Sequence, residues 1–189
     1  MSEQDNPWTR LSRRTAYQNP WLAVYEDEVL RPDGQPGIYG VVHFINRAIA
    51  VVAMDDRDQV LQVGQYRYPL DQYSWEIVEG GGGFDEEPLE AAQRELQEET
   101  GFSAGRWREI LRAHLSNSVT DEEAVCYLAT DLQAGSAKPD GTEQLQVRWV
   151  PFDEAVRMVA RGEITDALSI LGLQRVALMR LGLADSSNK

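Results

Sequence analysis

The stretch GGGGFDEEPLEAAQRELQEETGF, residues 80–102, passes from a glycine run into a helical pattern. Pro88 suits the first turn of a helix, and the acidic residues before it suit the positive helix N-terminus. Apolar residues recur at helical spacing from Leu89 to Leu96, and Gly101 suits the residue that follows a helix C-terminus. The pattern therefore predicts one amphipathic helix between Pro88 and Gly101.

Three glutamates of this helix, Glu95, Glu98 and Glu99, stand at offsets of three and four and therefore share one face. Like charges at these offsets destabilise a helix by roughly 0.2–0.5 kcal/mol per pair, so a bound cation would stabilise the arrangement. All-oxygen donors favour Mg²⁺, or Mn²⁺, over Zn²⁺. The glycines upstream allow the backbone to pass close to such a cation. Taken alone, three glutamates are more often simply the solvated face of a helix.

The surrounding pattern favours the metal interpretation, because it resembles the signature of the Nudix hydrolases. That signature runs Gly, five residues, Glu, seven residues, Arg-Glu, an apolar residue, any residue, Glu-Glu, any residue, Gly and an apolar residue. The matching positions are Gly80, Glu86, Arg94, Glu95, Leu96, Glu98, Glu99, Gly101 and Phe102. The resemblance implies an α/β fold, an α/β/α sandwich with a mixed sheet, and hydrolysis of a nucleoside diphosphate linked to another moiety.

The resemblance also implies a role for each matching residue. Glu95, Glu98 and Glu99 would hold divalent metal ions, and a backbone carbonyl at Glu79 or Gly80 would complete the shell. Arg94 would orient the glutamates with Glu86 as its ion-pair partner, and Gly101 would be structural. The catalytic set is then Glu99, Glu95, Arg94 and a general base. The base expected from the resemblance is Glu143, in a loop before the strand LQVRWV, with Glu122 and Glu123 as alternatives.

Similarity outside the signature narrows the substrate to ADP-ribose and other nucleoside diphosphate sugars. VGQYRYPLDQYSWEIVEGGG (63–82), ATDL (129–132) and GEITDALSI (162–170) resemble segments of that pyrophosphatase group. The substrate-binding candidates are Arg67, Glu76 and Trp21; Arg67 would contact phosphate or sugar, and Trp21 would stack on the base. The resemblance further implies a homodimer in which the N-terminal β-region reaches the partner subunit.

Two departures from the group leave sugar and base preference open. The loop SNSVTDEE (116–123) has Asn117-Ser118-Val119 where Pro-Gly is usual, and Val78-Glu79 replaces the more usual Pro-Ala before Gly80. GDP-mannose, ADP-glucose or a dinucleotide therefore remain alternative substrates. An isopentenyl diphosphate isomerase on the same fold would need its own catalytic cysteine, and a non-catalytic nucleotide sensor would usually have lost signature glutamates.

Composition limits the partners. The net charge of −13 in 189 residues disfavours nucleic acid and anionic membranes, because binding them needs clustered Lys and Arg. The longest apolar run, Ala48 to Met54, is far short of the roughly 20 residues of a membrane span. No secretory signal is expected, and the single cysteine, Cys126, predicts no intrachain disulfide and a buried thiol. These features predict a cytoplasmic protein.

The coarse secondary structure places the helix among strands. We expect a β-region at residues 1–45, with residues 1–16 loosely ordered and strands on either side of a turn at Pro32–Gly34, and a Nudix domain at 46–189. Ile49–Met54 predicts a buried strand, with VLQVGQYRY as its antiparallel partner. Further strands are predicted around RWREILRAHL, AVCYLATDL and LQVRWVPF, before two C-terminal helices.

Overall fold

The computed structural model describes residues 5–136 and 145–183, which form ten strands and three α-helices. The strands are β1 (Thr9–Gln18), β2 (Leu22–Leu30), β3 (Pro36–Phe44), β4 (Asn46–Ala53), β5 (Gln59–Arg67), β6 (Gln72–Glu76), β7 (Val78–Gly83), β8 (Phe102–His114), β9 (Glu123–Ala134) and β10 (Gln146–Pro151). The helices are α1 (Pro88–Thr100), α2 (Phe152–Ala160) and α3 (Ala167–Arg180). Contacts between Cα atoms divide the chain into two compact units.

The first unit contains the described residues up to Asn46 together with His114–Glu123. Its three strands form an antiparallel sheet in the order β1-β2-β3. The predicted turn between β2 and β3 is confirmed, since Gly34 has a φ of 78° and its N–H donates to the Arg31 carbonyl. Glycine tolerates this left-handed conformation at little steric cost.

The expectation of loose order is wrong for residues 9–16, because the chain from Thr9 onward forms β1. All ten residues of β1 are exposed, so no hydrophobic pattern marks the strand in the sequence. Cross-strand side-chain pairs to β2 stabilise it instead: Arg13 donates to Asp27 at 2.7 Å and 2.8 Å, and Ser12 donates to Glu28. Such pairs cannot be read from either segment alone.

The second unit contains Arg47–Ala113 and the described residues from Ala124 onward. It has a mixed four-stranded sheet, in the order β7-β4-β9-β8 with β4 and β9 parallel, and an antiparallel sheet in the order β10-β5-β6. The predicted antiparallel pairing of β4 with β5 is wrong. A single bridge joins Met54 and Val60, because the turn between them passes the chain into the other sheet.

Helices cover both faces of the four-stranded sheet. Ile49, Val51 and Ala53 of β4 pack in one cluster with Ala91, Ala92 and Leu96 of α1. On the opposite face, Gly172 of α3 lies so close that an added Cβ would be 3.0 Å from Val52 and 3.2 Å from the Cys126 sulfur. The alternation along β4 thus gives the predicted α/β/α sandwich with a mixed sheet.

The predicted helix is confirmed as α1. Pro88 is its first residue, and it ends at Gly101, whose φ is 77° and whose N–H donates to the Gln97 carbonyl. The four glycines before it are not a turn, because Gly80–Gly83 complete β7. An added Cβ on Gly82 would be 2.9 Å from that of Ala91, so glycine is what allows β7 to pack directly against α1.

Within the described ranges, none of the helices is long and apolar enough to cross a membrane. Cys126 is fully buried in β9, as its apolar surroundings in the sequence predict. Burial raises the pKa of its thiol to about 12. The thiol is therefore protonated at neutral pH and is a poor nucleophile.

Candidate active site

The glycines of β7 and the glutamates of α1 come together in the second unit. The closest approach is at Gly80, where an added Cβ would be 2.1 Å from the carboxyl carbon of Glu95. An added Cβ would therefore displace the Glu95 carboxylate, the far end of a flexible side chain, from its place against the strand. Without one, the backbone of β7 and a glutamate carboxylate of α1 lie side by side.

Arg94 connects this carboxylate with its neighbours. One guanidinium nitrogen, Nη1, donates to Glu95 at 2.6 Å and to Glu98 at 3.0 Å. The Nε and Nη2 atoms each donate to Glu86 at 3.1 Å, and Nη2 also donates to the Gly81 carbonyl at 2.7 Å. Arg94 therefore ties α1, the loop before it and β7 into one network.

Mutual hydrogen bonding stabilises the charged forms of this network. The Arg94 guanidinium lowers the pKa of Glu86, and Glu86, followed by Glu95 and Glu98, raises the pKa of Arg94. Arg94 thereby brings the carboxylates of Glu86, Glu95 and Glu98 together. They provide negative carboxylate oxygens, which are the donors that a hard divalent cation requires.

The three α1 glutamates differ in exposure. Glu99 is 5% exposed, the Glu95 side chain 13% and the Glu98 side chain 43%. The three carboxylates thus range from buried in the protein to exposed to solvent. In the part of the chain that the structure describes, no three His, Cys, Asp or Glu side chains converge as a preformed metal site. Glu95 and Glu98 are instead directed to Arg94. The donor chemistry and the glycine cradle at Gly80 nevertheless fit a divalent cation.

Arg67 and Glu76, both predicted to bind substrate, form an ion pair. Arg67 Nε donates to the two Glu76 oxygens at 3.0 Å and 3.1 Å, and Nη2 makes a further short contact. Glu76 is 3% exposed and raises the pKa of Arg67. The Arg67 side chain remains 35% exposed, so the buried carboxylate positions a guanidinium that can still meet a ligand.

A second carboxyl cluster was not among the sequence-based candidates. Glu79 on β7 accepts a hydrogen bond from Ser169 Oγ at 2.9 Å and also hydrogen bonds to Asp166, at the N-terminus of α3. Burial, then Asp166, raises the pKa of Glu79 well above its usual value. The signal in the sequence was the departure from Pro-Ala at residues 78–79.

The remaining candidates do not lie in this network. Trp21 is 69% exposed in the first unit, and Glu122 and Glu123, the alternative bases, also belong to that unit. Burial raises the pKa of Glu122. The predicted base Glu143 lies outside the described residues.

A separate groove of about 710 Å³ is lined by residues of β8 and β9. Its walls include Arg106, Trp107 and Arg108, and Arg106 pairs with Asp131 at 2.7 Å. It contains none of the predicted site residues. The candidate site is therefore defined by the chemistry of β7 and α1 rather than by the shape of this groove.

Comparison with known families agrees with this geometry. Residues 45–169 match the model of the NUDIX domain, and residues 8–42 match the model of the nucleoside diphosphate sugar hydrolase N-terminal domain. The first match contains β7, α1 and all the signature residues. The second match contains β1 and β2 and most of β3.

Individual proteins resemble the chain over nearly its whole length. An "ADP-ribose pyrophosphatase" of Mycobacterium tuberculosis is 32% identical, over 97% of this chain and 89% of the relative. A "CMP-5'-(N-acetyl-N-hydroxy-3-aminopropyl)phosphonate hydrolase" of Streptomyces rubellomurinus is 28% identical, over 93% and 84%. A crystal structure of an "ADP compounds hydrolase" superimposes with a TM-score of 0.83 at 22% identity, covering 93% of this chain and 96% of that one, which shows a common fold.

The two family matches fit the structure, in which the glutamates of α1 lie beside the glycines of β7. The resemblance of residues 80–102 to the Nudix signature is confirmed by a domain match that covers most of the chain. The chain belongs to the Nudix family, as a pyrophosphatase hydrolase that carries the N-terminal domain of the nucleoside diphosphate sugar hydrolases.

Proposed function

We propose that the protein hydrolyses the diphosphate bond of an ADP-ribose-like nucleoside diphosphate sugar with Mg²⁺, giving a nucleoside monophosphate and a sugar phosphate. The observation that carries the proposal is the close approach of the Gly80 backbone to Glu95, on a helix that carries three glutamates on one face. The match to a nucleoside diphosphate sugar hydrolase domain and the names of the relatives support the substrate class.

Glu95, Glu98, Glu99 and the carbonyl of Gly80 would hold the divalent ion. Bound there, the ion would supply positive charge that neutralises the diphosphate and activates the attacking water. Arg94 keeps Glu95 and Glu98 on one side of α1 and balances part of their charge. The protein's own work in such a displacement is mainly positioning and charge stabilisation.

Arg67, oriented by Glu76, would bind phosphate or sugar oxygens, because its planar guanidinium suits paired oxygen acceptors. Trp21 would stack on the base. Glu143 would act as the general base. Sugar and base preference would depend on these residues more than on the α1 glutamates.

The first unit also supports a homodimer, with residues 1–45 as the region that reaches the partner subunit. This unit exposes several large apolar side chains, which could pack against a second copy of the chain. They are Trp8, Leu11, Tyr17, Trp21 and Ile38. We further propose a cytoplasmic location, in keeping with the reduced, buried thiol of Cys126.

The test is hydrolysis of a substrate panel, with a phosphatase added to release phosphate from the monoester products. The panel contains ADP-ribose, ADP-glucose, GDP-mannose, NADH and diadenosine polyphosphates, each with Mg²⁺ and with EDTA. Glu99→Gln is the test variant, and Glu90→Gln, an exposed glutamate of the same helix outside the signature, is the matched control.

We expect Mg²⁺-dependent turnover of one sugar nucleotide, lost in Glu99→Gln and retained in Glu90→Gln. Turnover of GDP-mannose or a dinucleotide alone would keep the chemistry and change the substrate class. If no member of the panel is hydrolysed although the protein binds metal, the sugar nucleotide proposal is rejected in favour of a nucleotide sensor.

A further inference from the structure

A single residue joins the two sheets of the second unit beside the candidate site. β6 ends at Glu76 in one sheet and β7 begins at Val78 in the other, so the chain changes sheets at Ile77. The N–H of Ile77 donates to Ser169 Oγ of α3 at 2.9 Å. Ser169 is fully buried, so this contact replaces a backbone partner where the strand is interrupted.

Ser169 is the centre of a group that we call the α3 clamp, formed by Ser169, Glu79 and Asp166. The Ser169 hydroxyl donates to Glu79 at 2.9 Å, and its N–H donates to Asp166 at 2.7 Å, which caps α3. Glu79 and Asp166 also hydrogen bond to each other. The clamp thereby attaches β7 to the first turn of α3 through three side chains.

The clamp contacts β7 next to the candidate metal donors. Glu79 immediately precedes Gly80, where an added Cβ would be 2.1 Å from Glu95. With so little space, any shift of β7 changes the distance between the Gly80 backbone and the Glu95 carboxylate. The spacing of two candidate metal donors therefore depends on how β7 is attached on its other side, by α3.

The residue types at 78 and 79 give a reason for the clamp in this chain. The resemblance described above implies Pro-Ala at these positions, and proline restricts φ by its ring. Val78 lacks that ring, and Glu79 adds a long side chain whose carboxyl group meets Ser169 and Asp166 of α3. Side-chain hydrogen bonds can thus supply a constraint that the backbone no longer provides.

We propose that Glu79 is a positioning residue that, through Ser169 and Asp166 of α3, sets β7 at the distance from α1 that divalent cation binding requires. The inference rests on the metal site of the proposed function but assigns a role to a residue outside the Nudix signature. The Glu79 side chain acts by holding the backbone of β7 in place and is not itself a metal ligand.

The experiment measures Mn²⁺ affinity by electron paramagnetic resonance on the full chain without substrate. Glu79→Ala removes the clamp carboxyl and is expected to weaken Mn²⁺ binding about tenfold, in the range of lost second-sphere partners of metal sites. Glu79→Gln keeps an oxygen for Ser169 and an N–H for Asp166, so its affinity is expected to stay within about twofold of wild type.

Asp58→Ala is the matched control. Asp58 pairs with Arg180 at the other end of α3, so its removal loosens the helix without touching the clamp. We expect its Mn²⁺ affinity to equal that of wild type. Ser169→Ala is the second disrupting variant, should Glu79→Ala not fold, and is expected to weaken Mn²⁺ binding in the same direction.

Kinetics give a second readout that a merely structural role would not move. With ADP-ribose as substrate, Glu79→Ala should raise the Mg²⁺ concentration needed for half-maximal rate. KM for ADP-ribose at saturating Mg²⁺ should change by less than about twofold, because the clamp does not touch the substrate. Thermal unfolding of each variant shows whether it is folded at the assay temperature.

Four results overturn the inference: wild-type Mn²⁺ affinity in Glu79→Ala, equal weakening in Glu79→Gln and Glu79→Ala, equal weakening in Asp58→Ala, or no Mn²⁺ binding by the wild type. The second would make Glu79 a direct ligand. If neither disrupting variant folds, the clamp serves stability and the positioning role is rejected. Mn²⁺ binding that depends on Glu79, without hydrolysis of any sugar nucleotide, would contradict the proposed function alone.

Discussion

The sheets of the two units differ in what covers their strands. Every residue of β1 in the first unit is exposed, whereas Ile49–Ala53 of β4 in the second unit are at most 1% exposed. β1 is stabilised by side-chain pairs such as Arg13 with Asp27. β4 is stabilised by burial between α1 and α3, which contributes about 25 cal/mol per Å² of apolar surface.

The two units therefore suit different tasks. The second unit has its own core, and that core supports the α1 glutamates and the glycine strand. The first unit leaves large apolar side chains at the surface, including Trp21 and Ile38 at 69% and 70% exposure. The proposed metal site thus lies in the unit with the covered sheet, and the proposed homodimer contact lies in the unit with the exposed one. The predictions below test this contrast, from the largest expected effect to the smallest.

We expect the largest difference between the two units when one glycine of each is replaced by alanine. Gly80→Ala places a methyl group 2.1 Å from the Glu95 carboxyl carbon, so we expect metal-dependent hydrolysis to fall at least about a hundredfold. Gly40→Ala in β3 meets nothing within 4 Å and should leave the rate unchanged. Steady-state hydrolysis rates at saturating Mg²⁺ are measured for both variants. Equal rates would contradict a role for the close approach of Gly80 to Glu95 in metal binding.

The second unit should also be more tightly packed around its glycines than the first. Gly172→Ala places a Cβ 3.0–3.2 Å from Val52, Ile77 and Cys126, all within the core. Overpacking costs about 1–3 kcal/mol and the helix gains up to about 1 kcal/mol, so we expect a net loss of about 1 kcal/mol in the free energy of unfolding.

Gly37→Ala in β3 is the control for this effect. Its added Cβ meets mainly the flexible side chain of Arg31 at 3.1 Å, so a change within about 0.5 kcal/mol is expected. Urea unfolding measures both variants. A Gly172→Ala variant more stable than wild type would show that α3 has room to move on the sheet.

Trp21 tests whether an exposed side chain of the first unit serves substrate binding. Base stacking on an aromatic ring contributes about 1–3 kcal/mol, so Trp21→Ala should raise KM roughly tenfold with little change in kcat. Its 69% exposure predicts an unchanged Tm. Tyr17→Ala, another exposed aromatic of the same unit, serves as the control; an equal rise in KM in both variants would argue against stacking by Trp21.

The smallest effect concerns the ion pair of β1 and β2. Hydrogen bonds from Arg13 lower the pKa of Asp27 in the folded state, so the pair's contribution is complete above the unfolded pKa near 4 and is lost as the pH falls further. Asp27→Asn should therefore lose less than about 1 kcal/mol at pH 7 and nothing at the acid end. Urea unfolding at several pH values tests this; a loss that is independent of pH would contradict it.

The two units also differ in how far the sequence predicted them. The helix α1 and the buried strand β4 follow from local patterns, because each has a face that must be buried. β1 was missed because its stabilising partners lie on β2 and its side chains remain exposed. The pairing of β5 was wrong because the pattern of a strand does not say which sheet it joins.

Within the candidate site, the signature residues were found because their spacing is specific. Ser169 and Asp166 were missed because their meeting with Glu79 joins residues about 90 positions apart, and no local rule connects them. The side chain of Glu79 was visible only as a departure from Pro-Ala, although its backbone carbonyl was a candidate metal donor. Sequence patterns thus gave the candidates for metal and substrate binding, and the structure added the contact between Glu79 and α3.

The most direct test of the central claim is phosphorus NMR of ADP-ribose incubated with the wild-type protein, with and without Mg²⁺. We predict that the diphosphate resonances disappear only with Mg²⁺ and are replaced by the two monoester resonances of AMP and ribose 5-phosphate. Persistence of the diphosphate, or cleavage that leaves the diphosphate bond intact, would contradict the assignment of β7 and α1 as a pyrophosphatase site.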